Sequence, residues 1–232
     1  MVPLADETCP RPGSRHGVRL AVGVMARAPS TAGKSRLAPH LSASRLRALR
    51  EALLADTLRT VTSETIVFVT PVDAGGEVAG LSEKPIACVP QADGDLGSRM
   101  CAAFTHLLRT LKYDAAILVG SDIPLLTMAH LDEAGETLAI TGGVVLGPAD
   151  DGGYYLIGMR TLHAELFEGV EWGTATVLTD TLRAADRAGV EARLVRAASD
   201  VDTIEDLRRL ERDLQTAPPD LAPHMRAWFR AG

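Results

Sequence analysis

Four loops in this chain carry charge just where an apolar run has ended. The first, "ARAPSTAGKSRLAP" (26–39), sets Lys34 and Arg36 beside Gly33. The other three are acidic: "SDIP" (121–124), "ADDGGYY" (149–155) and "SDVDT" (199–203). A basic, glycine-containing loop together with acidic ones suits a nucleotide phosphate chain and the Mg2+ that travels with it. Magnesium takes oxygen ligands and is usually held by one or two carboxylates plus phosphates.

The third loop lies inside "LGPADDGGYYLIGM" (146–159), where acids and bare backbone separate two apolar runs. Asp-Gly is a strong turn signal, so one reading is a hairpin. A second reading has Gly152 and Gly153 letting the backbone come close to a ligand, with Asp151 facing the cleft. Tyr154 and Tyr155 alternate faces at the start of a strand, so one packs and the other reaches the pocket. The two readings are compatible, because a turn at a strand end can also wall a site.

The first loop has a rival reading. "APSTAGKS" (28–35) fits a phosphate-binding P-loop with alanine in the first glycine position, and "AILVGSD" (116–122) fits the strand that ends in its magnesium-binding Asp. Pro39 argues against it. A P-loop helix begins near its Gly-Lys and runs on, and an interior proline costs a helix roughly 3 kcal/mol. The segment reads instead as a loop, with the helix starting at Ser42.

The elements that must position these loops alternate. Apolar, often β-branched runs predict strands over 18–25, 65–70, 85–90, 115–120, 143–148, 153–159 and 191–196. Helical periodicity covers 42–60, with Leu46, Leu49, Leu53 and Leu58 near one face. Further helices are expected over 96–111, 127–140, 161–167, 174–188 and 203–214. Thr203 with Asp206 has the spacing of a capping box. Alternating strands and helices imply an α/β fold with a mainly parallel sheet, whose ligands bind outside the carboxyl ends of the strands. Asp56, on the first long helix, reads as structural.

The chain has 232 residues, 46% of them hydrophobic, enough for one large domain or two small ones. We expect a flexible tail over 1–17, one domain over 18–215 and a short amphipathic tail over 216–232 that packs on its own body. The net charge of −6, with no long basic run, argues against a nucleic-acid partner. Cys9, Cys88 and Cys101 are an odd number without CxxC spacing, which fits free thiols in a reducing cytoplasm. No apolar run reaches the roughly 18 residues of a membrane span, and the N-terminus lacks the apolar core of a signal peptide.

Six segments, in order, resemble one family: "GKSRLAP" (33–39), "DGDLGSRM" (93–100), "VGSDIPLLT" (119–127), "LGPADDGGYYLIGM", "EWGTATVL" (171–178) and "DVDTIEDL" (200–207). It is the GT-A-like bacterial transferase family often labelled arsenosugar-biosynthesis glycosyltransferase, otherwise a domain of unknown function. It is similar to 2-phospholactate guanylyltransferase and to the molybdenum-cofactor guanylyltransferases. The resemblance covers roughly residues 19–214 and implies a three-layer α/β/α GT-A fold with a mixed, mainly parallel sheet.

The resemblance also implies roles. The loop of Gly33, Lys34 and Arg36 would cradle the nucleotide phosphates, and Asp122 with Asp202 would hold Mg2+ or Mn2+. Asp200 would be a neighbour of that site, or its second ligand in place of Asp202. Gly94, Leu96 and Gly97 would lie beside the nucleobase or ribose, and Trp172, Thr174 and Thr176 would line the acceptor pocket with Asp151, Gly152, Gly153 and Tyr154. Each has a plainer reading. Asp122 could cap a turn before proline, Asp202 could cap the last helix, and Lys34 with Arg36 could be a solvated surface pair. The glycines could belong to an ordinary loop-to-helix junction, and Trp172 could be a core residue beside threonine caps.

Three functions remain open at this point. In a nucleotidyltransferase, a phosphate or carboxyphosphate oxygen of a small acceptor attacks the α-phosphorus of a nucleoside triphosphate, releasing pyrophosphate that Lys34 and Arg36 stabilise. In a glycosyltransferase using a nucleotide-sugar, Asp151 is the base. Gly120 stands where an Asp-X-Asp motif ending at Asp122 would need its first Asp, although "DVDT" could supply that spacing. The third is a non-catalytic nucleotide-binding module. The expected partners are a nucleoside triphosphate or nucleotide-sugar and a small-molecule acceptor, with no nucleic acid and no membrane. A homodimer is compatible with the sequence.

Overall fold

The computed structural model describes residues 18–61 and 65–232. The expected N-terminal tail, with Cys9, lies outside the described residues. Strands β1 (Leu20–Arg27), β2 (Ile66–Thr70), β3 (Ala87–Pro90), β4 (Ala115–Gly120), β5 (Val144–Pro148), β6 (Tyr154–Met159) and β7 (Ala192–Leu194) form one sheet in the order β3-β2-β1-β4-β6-β5-β7. Only β6 runs against its neighbours, pairing antiparallel with β4 and β5. The sheet is therefore mixed and mainly parallel, and the site loops gather along one edge.

Helices cover both faces. On one face, α1 (Ala43–Thr60), the short α2 (Gly75–Ala79) and α4 (Met128–Thr141) bury Leu54, Leu58, Val78, Leu131 and Leu138 against Val24, Val67, Ile117 and Val119. On the other, α3 (Leu96–Phe104) and α5 (Val177–Ala188) bury Met100, Phe104 and Ala184 against Phe68, Leu118, Leu146 and Ile157. The alternation of β4 explains this: Ile117 and Val119 face one layer, Ala116 and Leu118 the other. The result is the three-layer α/β/α arrangement expected. Outside α1 lie α6 (Ile204–Thr216) and α7 (Pro223–Arg230), sharing a core of Leu46, Leu49, Leu207, Leu210, Met225 and Trp228.

Several local expectations change. The helix over 96–111 loosens into a π-turn at Thr105–Thr110, and 161–167 holds only a 3-10 turn at Ala164–Phe167. Helix α5 starts at Val177 rather than 174, because Thr174 and Thr176 bond within their loop. The C-terminal segment forms α7, whose first amides at His224 and Met225 donate to the buried Asp56 carboxylate at 3.0 and 2.8 Å. Those bonds satisfy the free N–H groups of a helix start, the structural role expected of Asp56. Among the described residues no helix is long and apolar enough to cross a membrane.

Candidate functional site

Lys34 reaches two acids that are distant in sequence. Its Nζ lies 2.5 Å from Asp122 Oδ2 and 2.6 Å from Asp202 Oδ1. Asp122 follows β4, and Asp202 follows the strand edge formed by β7. The loop of 28–42 holds no helix before α1, so the chain departs from a P-loop as Pro39 suggested. Within it Lys34 itself, not Gly33, takes a left-handed backbone at φ 55°. Such a conformation costs a non-glycine residue on the order of 1–3 kcal/mol and persists where other contacts outweigh it. Here the two carboxylates are those contacts.

Asp200 joins the group. One carboxylate oxygen from each of Asp122, Asp200 and Asp202 falls within 4.8 Å of the others. An all-oxygen set of three carboxylates fits Mg2+ or Mn2+. The charges in the cluster act on one another. Burial opposes a charge on Lys34, yet Asp122 and Asp202 hold its pKa well above the ordinary lysine value. Burial, and then the charges of Asp122, Asp151 and Asp202, push the Asp200 carboxyl up to about 6.

A chain of hydrogen bonds fixes Asp202. Asp206 Oδ2 accepts the backbone N–H of Asp202 at 3.1 Å and that of Thr203 at 2.8 Å, while Thr203 caps α6. This is the capping box predicted from spacing. Arg209 then holds Asp206 at 2.9 Å and Asp150 at 3.2 Å, and Ser199 Oγ donates to Asp150 at 2.6 Å. Sequence reading missed Asp150 and Arg209, because nothing local marks a bond across 49 or more residues.

The 149–153 loop is a β5–β6 hairpin, and it revises the reading of its residues. Asp151 is exposed, and its Oδ1 accepts the Gly153 N–H at 2.8 Å, closing the turn. Gly152 has φ 87°, and a Cβ there would stand 2.2 Å from the Ala175 carbonyl oxygen. The backbone brought close to Gly152 is thus the 171–176 loop. Leu178 N donates to Gly152 O at 3.0 Å and fastens the two loops. Gly153 is buried with ordinary φ.

Tyr154 and Tyr155 both pack. Tyr155 joins one core layer and donates from its hydroxyl to Arg196 O at 3.0 Å. Tyr154 enters the other layer edge-on to Trp172, with its hydroxyl buried. Neither reaches an open pocket, which corrects the expectation for Tyr154: alternation sends both rings into helix-covered faces. Trp172 packs on Phe167 and Tyr154, and its indole lies where a Cβ on Gly97 would stand, 2.7 Å away. Gly97 is small to admit Trp172. Thr174 Oγ1 donates to Glu171 O at 2.8 Å, so its hydroxyl serves the loop.

Gly94 takes φ 109°, Asp95 caps α3 by accepting Ser98 N at 2.8 Å, and Leu96 is an exposed first residue of that helix. Beside them is a cavity of about 220 Å3 lined by Phe68, Pro90, Gln91, Arg99 and His106 among others. Gln91 Nε2 donates to the carbonyls of Ala26 and Phe68 at 3.0 and 2.8 Å, which plants it across the ends of β1 and β2. Gln91 was not singled out from sequence. Arg36 is exposed and does not join the Lys34 cluster.

Comparison with known proteins agrees with this fold. Residues 39–174 match the family described as "Uncharacterized protein conserved in bacteria" (DUF2064). A 2-phospho-L-lactate guanylyltransferase of Haloarcula marismortui is 31% identical over 194 residues, covering 82% of this chain and 83% of its own. A solved structure from Desulfovibrio desulfuricans G20, described as a candidate nucleotide-diphospho-sugar transferase, superposes with TM-score 0.80 at 26% identity, over 91% of this chain and 97% of its own. A cytidylyltransferase of Leptospira borgpetersenii shares the fold at TM-score 0.54 and 14% identity, over 92% of this chain and 94% of its own.

Proposed function

The chain belongs to the DUF2064 family, and we propose that it is a nucleotide-utilising transferase, specifically a nucleotidyltransferase acting on a small phosphorylated or acidic acceptor. The observation that carries this reading is the meeting of Lys34 with Asp122 and Asp202 at the carboxyl edge of the sheet. The guanylyltransferase relative supports it.

Asp122, Asp200 and Asp202 would hold Mg2+ or Mn2+. When bound, that ion would neutralise charge on the phosphate oxygens. Lys34, beside the same carboxylates, would offer a positive charge to the phosphate chain. The acceptor oxygen attacks the α-phosphorus and pyrophosphate leaves. An acceptor that is already anionic needs no base, which suits an Asp151 engaged in its own turn. Asp151 and the 171–176 loop then shape the acceptor side.

A glycosyltransferase is the second reading. It is favoured by Asp200-Val-Asp202, which puts two acids of an Asp-X-Asp spacing into the cluster, and by the Desulfovibrio relative. The product decides. Purified protein with Mg2+, the four nucleoside triphosphates and a set of small phosphorylated acids should release pyrophosphate with one triphosphate, and Asp122→Ala should abolish release. Free nucleoside diphosphate from a nucleotide-sugar, without pyrophosphate, selects the second reading. Neither product, with no ligand-induced rise in melting temperature, rejects both.

A further inference from the structure

A triphosphate brings several negative charges to this edge, while Lys34 is already matched by two carboxylates. Charge beyond what Lys34 and a bound ion would offset is left for other cations near the loop, and besides the exposed Arg36 two more arginines stand there. Arg27 ends β1 and is exposed. Arg50 leans out of α1, and its Nη1 donates to the Gly33 carbonyl at 3.3 Å. Arg27 Cδ and Arg50 Nη1 lie 3.7 and 3.6 Å from the single point where a Cβ on Gly33 would stand. The two side chains therefore converge beside Lys34.

Arg50 is poorly satisfied where it is. Its Nε is buried without a hydrogen-bond partner among the described residues. The acids whose charge reaches it, Glu51 and Glu77, are held by Arg47 at 2.9 and 3.6 Å. Burial, then the Arg47 charge, pulls its pKa below the usual guanidinium value, the mark of a cation lacking an anion. A guanidinium with one long bond, an orphaned donor and, among the described residues, no carboxylate paired to it is suited to fork onto phosphate oxygens. The Gly33 loop also lies at the end of β1, with the Gln91 cavity on the β2 side and Asp122 on the β4 side.

We propose that Arg50 and Arg27 form the binding site for the terminal phosphates of the nucleotide, the group that leaves as pyrophosphate. The proposal rests on the nucleotidyltransferase reading. It assigns Arg50, on a helix outside every motif, to the donor site.

The test is calorimetric titration with inorganic tripolyphosphate, which lacks base and sugar, on wild type, Arg50→Met, Arg27→Met and Arg50→Lys. Wild type should bind. Arg50→Met and Arg27→Met should each weaken binding roughly ten-fold or more, with Mn2+ affinity and melting temperature unchanged, and Arg50→Lys should recover part of the loss. If Arg50→Met does not fold, Arg27→Met and Arg50→Lys carry the test. Methionine variants that bind tripolyphosphate as wild type does overturn the proposal. So does a wild type that binds a nucleoside triphosphate but not tripolyphosphate. In both cases the reading of the function survives. A wild type that binds no triphosphate at all overturns the two together.

Discussion

Arg209 Nη2 stands 3.2 Å from Asp150 Oδ2, tying α6 to the β5–β6 hairpin. The same guanidinium holds Asp206, which fixes the backbone of Asp202. One side chain thus sets the spacing between the acidic cluster and the β5–β6 hairpin. Both partners are partly exposed, and such pairs add only about 0–1 kcal/mol to stability. Arg209→Met should accordingly leave the melting temperature within a few degrees of wild type while turnover falls on the order of a hundred-fold, the penalty of a site displaced by about 1 Å. Equal turnover in steady-state assays would remove Arg209 from the positioning chain.

Lys34→Met separates two effects. The ammonium competes with any divalent ion for Asp122 and Asp202. Without it the carboxylates repel each other and attract a cation more strongly. Mn2+ titration should therefore show tighter binding in Lys34→Met, although turnover drops on the order of a hundred-fold through loss of a charge at the phosphates. Weaker Mn2+ binding in the variant would contradict the competition.

Gly152→Ala should destabilise the protein by about 2–4 kcal/mol, because a strained φ and a clash with backbone act together. The Cβ would stand 2.2 Å from Ala175 O at φ 87°. Gly173 is the control: it has φ 82° but nothing within 4 Å, so Gly173→Ala should cost about 1 kcal/mol from strain alone. Urea denaturation of the two variants measures the difference, and equal losses would mean that the Ala175 contact is soft.

His130 predicts acid sensitivity. Its Nδ1 accepts the Thr127 N–H at 3.2 Å, closing the capping box of α4, and its ring meets Tyr155 edge-on. Burial, then the charge of Arg196, lowers its pKa, with Glu133 opposing. A histidine whose folded pKa is depressed contributes stability that is full above its ordinary pKa of about 6.5 and is lost as pH falls toward the folded value. Wild type should lose more melting temperature between pH 7.5 and pH 5 than His130→Gln does, both windows chosen around that ordinary value. Parallel curves would show that other groups govern the acid limb.

The order of strands and helices was legible because each buried strand here is a short apolar run and two of the main helices announce their start, Ser42 for α1 and Thr203 with Asp206 for α6. The neighbourhood of Lys34, Asp122 and Asp202 was legible too, since strand ends of an α/β sheet converge. What stayed hidden depends on contacts between distant segments. Two adjacent acids, Asp150 and Asp151, look alike in sequence, yet one is clamped by Arg209 and the other closes its own turn. Gly152 and Gly97 read as openings for a ligand, and instead admit the Ala175 backbone and the Trp172 ring. Arg50 looks like any charge on a helix face until the Gly33 loop folds over it.

The chain contains two tryptophans, and the fold sends them to opposite duties. Trp172 sits between Gly97 and the aromatic group under the 171–176 loop, whereas Trp228 lies beneath the Arg45 guanidinium, 3.7 Å from its ring, in the α1–α7 layer. Their fluorescence is therefore separable by location. In Trp228→Phe the emission comes from a single indole packed between Gly97, Phe167 and Tyr154, a built-in optical reporter of the 171–176 loop. In Trp172→Phe the signal follows the C-terminal helix alone. Movement of the 171–176 loop and detachment of α7, which one unfolding curve would merge, can then be followed separately, one in each variant.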